Sequence, residues 1–359
     1  MLPLTHTPHR HLAGFGLVEI MVGMVIGMFG IIVMMQVFAL SEERKRITTG
    51  GGDAMTEGVM AMYALQRDIR QAGAGISDVK ILGCDVLLRT GVTLAGLAPV
   101  TINHASIPPG DNLTDTLLVV YTNTNGSPQG DGITAQPATT QYAVQTPTSF
   151  VANDWLIAAP QTRGDCVTTP LLLDRTVSIA TPNVTVTTGV AGMSNGTLFN
   201  VGQAPIILAY AVRSGNLTVC DYAVNDCSVV GNTGNTAIWT PIANNIVSMR
   251  AQYGRDTTAA PMDGIVDLYD QATPNTACLW TRATAVRLAL VARSAQFDKS
   301  TVTTVAPVWD GSTANNPTGS TAAAVDLTGN ASWQNYRYKI FQTVVPLRNI
   351  AWMGVVSGC

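Results

Sequence analysis

Glu19 is a carboxylate set inside an apolar run, which makes it the residue here best placed to do chemistry. Between Phe15 and Leu40 the only other strongly polar side chain is Gln36. A carboxylate in such a span costs on the order of 2.5–3.5 kcal/mol on membrane-insertion scales, so it needs a partner or a task. Close to a helix start the dipole stabilises it by roughly 0.3–1 kcal/mol, and a positive amine from a neighbouring chain would add to that. A snorkelling carboxylate at a membrane edge is the plainer alternative.

Six cysteines form the second group: Cys84, Cys166, Cys220, Cys227, Cys278 and Cys359, all beyond the apolar run. An even number, widely spaced and without a Cys-x-x-Cys pair, reads as disulfides formed in an oxidising compartment. Zinc is the competing reading, but histidine is nearly absent from the same region. Six cysteines allow 15 connectivities. The short Cys220–Cys227 loop is the pair the spacing favours, and the other two bridges stay unassigned.

A third group is acidic. Asp256 is followed by Asp263, Gly264 and Asp267, carboxylates around a glycine turn that could offer oxygen ligands to calcium. The six residues between Asp256 and Asp263 spoil ideal loop spacing, so a solvated acidic turn is the favoured reading and no cofactor is otherwise expected. His104 is the only histidine after residue 14, and it reads as a polar loop residue. There is no phosphate-binding Gly-x-x-x-x-Gly-Lys loop. No enzymatic activity is expected.

These residues need elements to position them. Phe15–Leu40 spans 26 residues, about 39 Å as a helix, against a hydrocarbon core of about 30 Å. That is too long for the apolar core of a cleavable secretory signal. Gly23-x-x-x-Gly27 within it has the small-xxx-small spacing that lets helices approach closely, although glycine is common in membrane helices generally. From Asp53 to Gly73, Met55, Val59, Met62 or Tyr63, and Ile69 recur at helical spacing. Gly50-Gly51-Gly52 lies between the two stretches. Each glycine costs about 1 kcal/mol relative to alanine, so a break or hinge is expected there.

Charged residues make up 12% of the 359 residues and the net charge is −3. Such a balance argues against a nucleic-acid binder, which needs a basic face. Beyond residue 80, Thr, Val, Asn and Gly dominate, a composition of strands and turns. Thr116–Thr122, Val286–Arg293 and Arg337–Leu347 read as strands. Ile206–Arg213 and Leu217–Tyr222 flank Ser214-Gly215-Asn216, a hairpin signal. In Val286–Arg293, residues Val286, Leu288 and Leu290 fall on one face, with Arg287, Val291 and Arg293 on the other. Segments 85–110 and 300–332 carry no assignable pattern, and most of 123–205 reads as further strands and long loops.

Gly14-Phe15-Gly16-Leu17-Val18-Glu19-Ile20-Met21 resembles the processing site of type IV prepilins and type II secretion pseudopilins. The run Gly58–Gly73, with Tyr210–Leu217, Ile246–Gly254, Val286–Ser294 and Tyr338–Asn349, resembles the PilW family of minor pilins. The resemblance implies cleavage between Gly14 and Phe15, N-methylation of Phe15, and Glu19 as the residue that draws a neighbour's N-terminal amine during assembly. It implies an α+β pilin-like fold, a long N-terminal transmembrane helix followed by a large antiparallel β-rich globular domain. The divisions would be residues 1–14 as leader, 15–40 as membrane helix, 41–74 as its continuation and 75–359 as the head. It further implies a minor pilin that primes or caps pilus assembly, held in the bacterial inner membrane with its head in the periplasm and later part of the pilus. Other minor and major pilins, the prepilin peptidase and the assembly platform would be its partners. The Lys and Arg count, with Arg44, Lys45 and Arg46 after the span and only Arg10 before it, points to the opposite orientation. The processing motif and the cysteines outweigh it. A J-type pseudopilin is the nearest alternative, and a pilus-tip adhesion module on the same anchor is a second.

Overall fold

The computed structural model describes residues 16–124, 126–259, 262–312 and 324–351. The chain forms two compact units, Met1–Gly50 and Gly51–Cys359. Helix α1 (Leu17–Gln71) is 55 residues long and belongs to both. It stays helical through Gly50-Gly51-Gly52, so the expected break does not occur, although the division between the units falls at this triplet. Cooperativity explains the continuity: once a long helix has nucleated on both sides, each added residue gains a hydrogen bond, and this outweighs about 1 kcal/mol per glycine.

Among the described residues, the second unit carries seventeen strands and two short helices beside the C-terminal part of α1. In chain order they are β1 (Val86–Arg89), β2 (Val92–Leu94), β3 (Val100–Ile102), β4 (Leu117–Tyr121), β5 (Asp131–Ala138) and β6 (Gln141–Val144). Then come β7 (Trp155–Ala159), β8 (Leu171–Ala180), β9 (Asn183–Val186), β10 (Thr197–Gly202), β11 (Ile206–Arg213) and β12 (Asn216–Asp221). The last are β13 (Thr240–Ala243), β14 (Ile246–Arg255), β15 (Leu268–Asp270), α2 (Ala277–Thr281), β16 (Ala283–Arg293), β17 (Tyr338–Pro346) and α3 (Arg348–Ala351).

They form three sheets, ordered β2-β1-β8-β7-β10-β5-β6-β9, β13-β12-β11-β4-β3 and β15-β14-β16-β17. All pairings are antiparallel except β1 with β8. In the first sheet β9 also pairs with β8, which closes six strands into a barrel. Its interior is filled by Tyr142, Val144, Phe150, Val184 and Leu198. The segment 123–205 is thus largely a barrel. It is threaded between β4 and β11, which pair with each other directly from Tyr121↔Ile206 onward.

The expected hairpin forms as β11–β12 around a two-residue turn, Ser214-Gly215, both with positive φ (52° and 71°). Two positive φ values match the twist of the flanking strands. The Asp111 carboxylate holds that turn, accepting from the N–H groups of Ser214 (2.8 Å) and Gly215 (2.7 Å).

The C-terminal part of α1 seats on the second and third sheets. Ala54, Ala61, Met62, Leu65, Ile69 and Ala72 pack against Val119, Val212, Met249, Val286 and Leu288 in one core. Leu65 and Ile69 are fully buried, each contributing on the order of 1.5–3 kcal/mol. Of the stripe read from sequence, Met62 and Ile69 are buried as expected, and the rest is corrected. Met55, Val59 and Tyr63 are 51%, 48% and 68% exposed, and the buried stripe runs one position over, through alanines and Gly58. Small residues win that face because they let the helix axis approach the sheets. At Gly58 the ring of Phe341 occupies the place a Cβ would take.

Strand β16 differs from the expected one-sided pattern. Val286, Leu288 and Leu290 face α1, while Ala289 and Val291 are buried under Trp309, Val325 and Leu327. Residues from the unassigned 300–332 stretch therefore cover the outer face of the third sheet.

Candidate functional site

In the first unit the helix begins after Gly16, and Glu19 lies in its first turn. The Gly16 N–H donates to Glu19 Oε2 at 3.1 Å, so the carboxylate folds back and satisfies a donor that the helix start leaves orphaned. Sequence dictates this: a glutamate three positions into a helix reaches the N-cap amide. From Leu17 to Leu40 every large apolar side chain is exposed, from Ile32 at 43% to Leu17 at 75%. The helix is long and apolar enough to cross a membrane, with a mean hydropathy of 2.5 in its most apolar window. At Gly23, Gly27 and Gly30 no atom lies within 4 Å of where a Cβ would sit. Gly14 and Phe15 lie outside the described residues.

At the other end of α1, Asp68 is 1% exposed and accepts from Tyr121 Oη at 3.2 Å and from Tyr210 Oη through a short bond. The Arg67 guanidinium closes over it, Nε to Oδ1 at 2.8 Å. A buried carboxylate must be paired, and here three donors converge on it. Burial, with the Asp68 charge second, pushes the Tyr121 phenol up to about 12, and burial raises that of Tyr210 further still. Strands β4 and β11 are thereby tied to the helix. Nothing in the sequence singled out this cluster, because Asp68 sits among Arg67, Arg70 and Gln71 and reads as surface.

A second buried cluster joins the sheets. Asp115 accepts from Arg250 Nη1 (3.4 Å), Ala251 N–H (3.0 Å), Asn103 Nδ2 (2.9 Å) and Gln271 Nε2 (2.7 Å). These donors converge on one carboxylate and hold the loop before β4 against β14.

The acidic turn is organised by its own backbone. Asp256 accepts from Thr258 N–H and Gly264 N–H, Asp263 from Ile265 N–H, and Asp267 from the Thr257 N–H and two threonine hydroxyls. Among the described residues no group of three or more His, Cys, Asp or Glu side chains is placed to hold a metal ion. His104 is 6% exposed: Nδ1 accepts from Ser106 N–H at 3.1 Å and Nε2 bonds the Ala95 carbonyl at 2.6 Å. Burial lowers its pKa, and both nitrogens are occupied. A polar cleft of about 360 Å³ lies beside the β11–β12 turn, lined by Asp111, Arg293, Asp326 and Tyr338 among others. Both its carboxylates are taken up by turns, Asp111 as above and Asp326 by Thr328.

Disulfides join Cys84 to Cys166 and Cys220 to Cys227, and Cys278 is disulfide-bonded too. Cys359 lies outside the described residues. The Cys84–Cys166 bridge fastens the strand-poor segment after α1 to the loop between β7 and β8.

A long apolar N-terminal helix followed by a large antiparallel β-rich unit containing a barrel defines the architecture. Residues 210–349 match the family model of type IV pilus-assembly protein W, PilW. The match runs from the middle of β11 to Asn349 in α3. It supports a PilW assignment and ties the chain to type IV pilus assembly. No curated protein and no solved structure matches it significantly.

Proposed function

We propose that this chain is a minor pilin that primes or caps type IV pilus assembly from the inner membrane, and that it acts as a structural subunit rather than an enzyme. The observation that carries the reading is the placement of Glu19, a carboxylate in the first turn of an exposed apolar helix. Cleavage between Gly14 and Phe15 would put a free amine one residue before Gly16, whose N–H Glu19 already holds. In the lone subunit the carboxylate caps its own helix. When subunits meet, a neighbour's N-terminal ammonium replaces that neutral donor, and a charge-assisted bond is roughly twice as strong. Helix packing is then coupled to neutralisation of the carboxylate. Gly23 and Gly27 leave a flat strip on the helix for close approach by neighbours.

In this reading the partners are other pilins, the prepilin peptidase and the assembly platform. The head is periplasmic until it enters the pilus. A head spanning residues 75–359 would crowd a tightly packed filament, which favours a tip or priming position over a repeating one. Intact mass and N-terminal sequencing of the membrane-extracted protein test this, with pilus counts for wild type and Glu19→Ala. The expected result is a chain beginning at N-methylated Phe15 and loss of assembly in Glu19→Ala. Retention of Met1–Gly14, in cells that process their other pilins, overturns it.

A further inference from the structure

Sheet edges present unpaired backbone groups, and folds normally blunt them by keeping edge strands short or covered. Among the described residues, four of the five open edges follow that rule: β2, β3 and β15 have three residues each and β13 has four. The fifth, β17, has nine. It pairs along its whole length with β16, from Ala285↔Pro346 to Arg293↔Tyr338. Its exposure is that of an edge: only Val345 is buried, whereas most of β16 is.

The register fixes which groups point outward. Ser294 N–H bonds the Arg337 carbonyl and Leu347 N–H bonds the Thr284 carbonyl, one at each end of the ladder. In an antiparallel pair such bonds recur at every second residue. Residues 337, 339, 341, 343, 345 and 347 therefore point their backbone groups at β16. Tyr338, Ile340, Gln342 and Val344 point theirs away from the sheet, and Pro346, without an N–H, ends the row.

The side chains around this edge suit an added strand. Phe341 lies under Gly58 of α1. On the helical wheel Glu57, which accepts from Asn244 N–H, marks the flank of α1 over the β13–β14 turn. Met55 and Val59, half exposed, project from the opposite flank. On the other face of β17, Val344 is 47% exposed. An incoming strand would thus find apolar contact from α1 on one face and from Val344 on the other.

We propose that the outer edge of β17 receives an extended segment of another pilus-assembly subunit, apolar at alternate positions, by strand addition. This rests on the pilus-assembly reading above. Main-chain hydrogen bonds to residues 338, 340, 342 and 344 give the attachment, and the Met55–Val59 flank selects for apolar side chains on the segment.

The test is residue-resolved amide hydrogen exchange on the full-length chain, comparing the detergent-solubilised subunit with the same chain in sheared pilus fractions. Strand addition slows the amides of Tyr338, Ile340, Gln342 and Val344 by about 100-fold or more, while those of 339, 341, 343 and 345 are already slow in both states. Docking without strand addition leaves the alternation unchanged, and that result overturns the proposal. If the chain is found in the pilus fraction with those four amides still fast, only this proposal falls. If it never reaches the pilus fraction and keeps Met1–Gly14, both readings fall. Ile340→Pro and Val344→Pro remove outward N–H groups without touching the bonds to β16. Both variants are expected to keep the thermal midpoint of the free chain and lose incorporation into pili.

Discussion

The Asp68 carboxylate and the Tyr210 hydroxyl, 142 residues apart in sequence, share a buried hydrogen bond that locks α1 onto β11. Losing one donor to a buried carboxylate costs about 1–3 kcal/mol. Tyr210→Phe should therefore lower stability by that amount, measured by urea unfolding of the full chain in detergent. Asp68→Ala should cost more, because it strands the hydroxyls of both Tyr121 and Tyr210.

The same cluster sets an alkaline limit. Both phenols are raised above their ordinary value of about 10, Tyr121 to about 12. Above pH 10 the unfolded chain gives up these protons while the folded chain keeps them. The stabilisation is present below pH 10 and is lost as pH rises toward 12. The urea midpoint should fall across that window, and Tyr121→Phe with Tyr210→Phe should flatten the fall.

His104 acts in the opposite pH range. Burial holds its ring neutral and lowers its pKa below the ordinary 6.5, outweighing the Ala95 carbonyl, which pulls the other way. The unfolded chain takes up the proton first as pH drops. The contribution of this group is complete above about pH 6.5 and is lost on acidification. Comparing urea midpoints at pH 7.5 and 5.0, His104→Gln should show a smaller loss than wild type.

Gly58→Ala makes a sharper case, since alanine should stabilise an ordinary helix position by about 1 kcal/mol. Here the new methyl would fall on the Phe341 ring, so the substitution should destabilise, by about 1–3 kcal/mol as overpacking does. Phe341→Leu in the same chain should recover much of the loss. Thermal unfolding of the two single variants and the double variant measures that coupling.

The two assigned bridges should differ in weight. Cys84–Cys166 closes a separation of 82 residues and Cys220–Cys227 one of 7. Loop-closure entropy then gives about 4–5 kcal/mol for the first and about 2 for the second. Serine pairs at each bridge, compared by urea unfolding, should reproduce that order.

What the sequence made legible was whatever depends on neighbours along the chain. The apolar span, the Ser214-Gly215 turn and the strands around residues 117–121, 206–213, 283–293 and 338–346 all announce themselves by local period or turn chemistry. The helix stripe was misjudged at Met55 and Val59, and left open between Met62 and Tyr63, because an apolar repeat cannot say which of two adjacent faces meets a sheet. Gly58 and Ala61 won through closeness, which hydropathy does not register. The barrel in 123–205 and the Trp309 cover over β16 were invisible for a related reason. Their strands pair across long separations, and barrel closure at β8–β9 leaves no local mark. Asp68 reads as a surface acid until distant tyrosines converge on it. Glu19 stood out at once because its surroundings were wrong for its charge.

The barrel also has an architectural consequence. It grows from the tip of what is otherwise a simple β4–β11 hairpin, whose stem closes at the Tyr121–Ile206 pair. The tip does not hang free of the stem: Cys84–Cys166 ties its β7–β8 loop to the segment after α1, and Ile157 and Phe199 share one core with Leu118, Val120 and Ile207. The family match begins at Tyr210, on the far side of that stem. An insertion of this size at a hairpin tip is thus built into the fold rather than appended to it, pinned where its β7–β8 loop meets the segment that follows the helix.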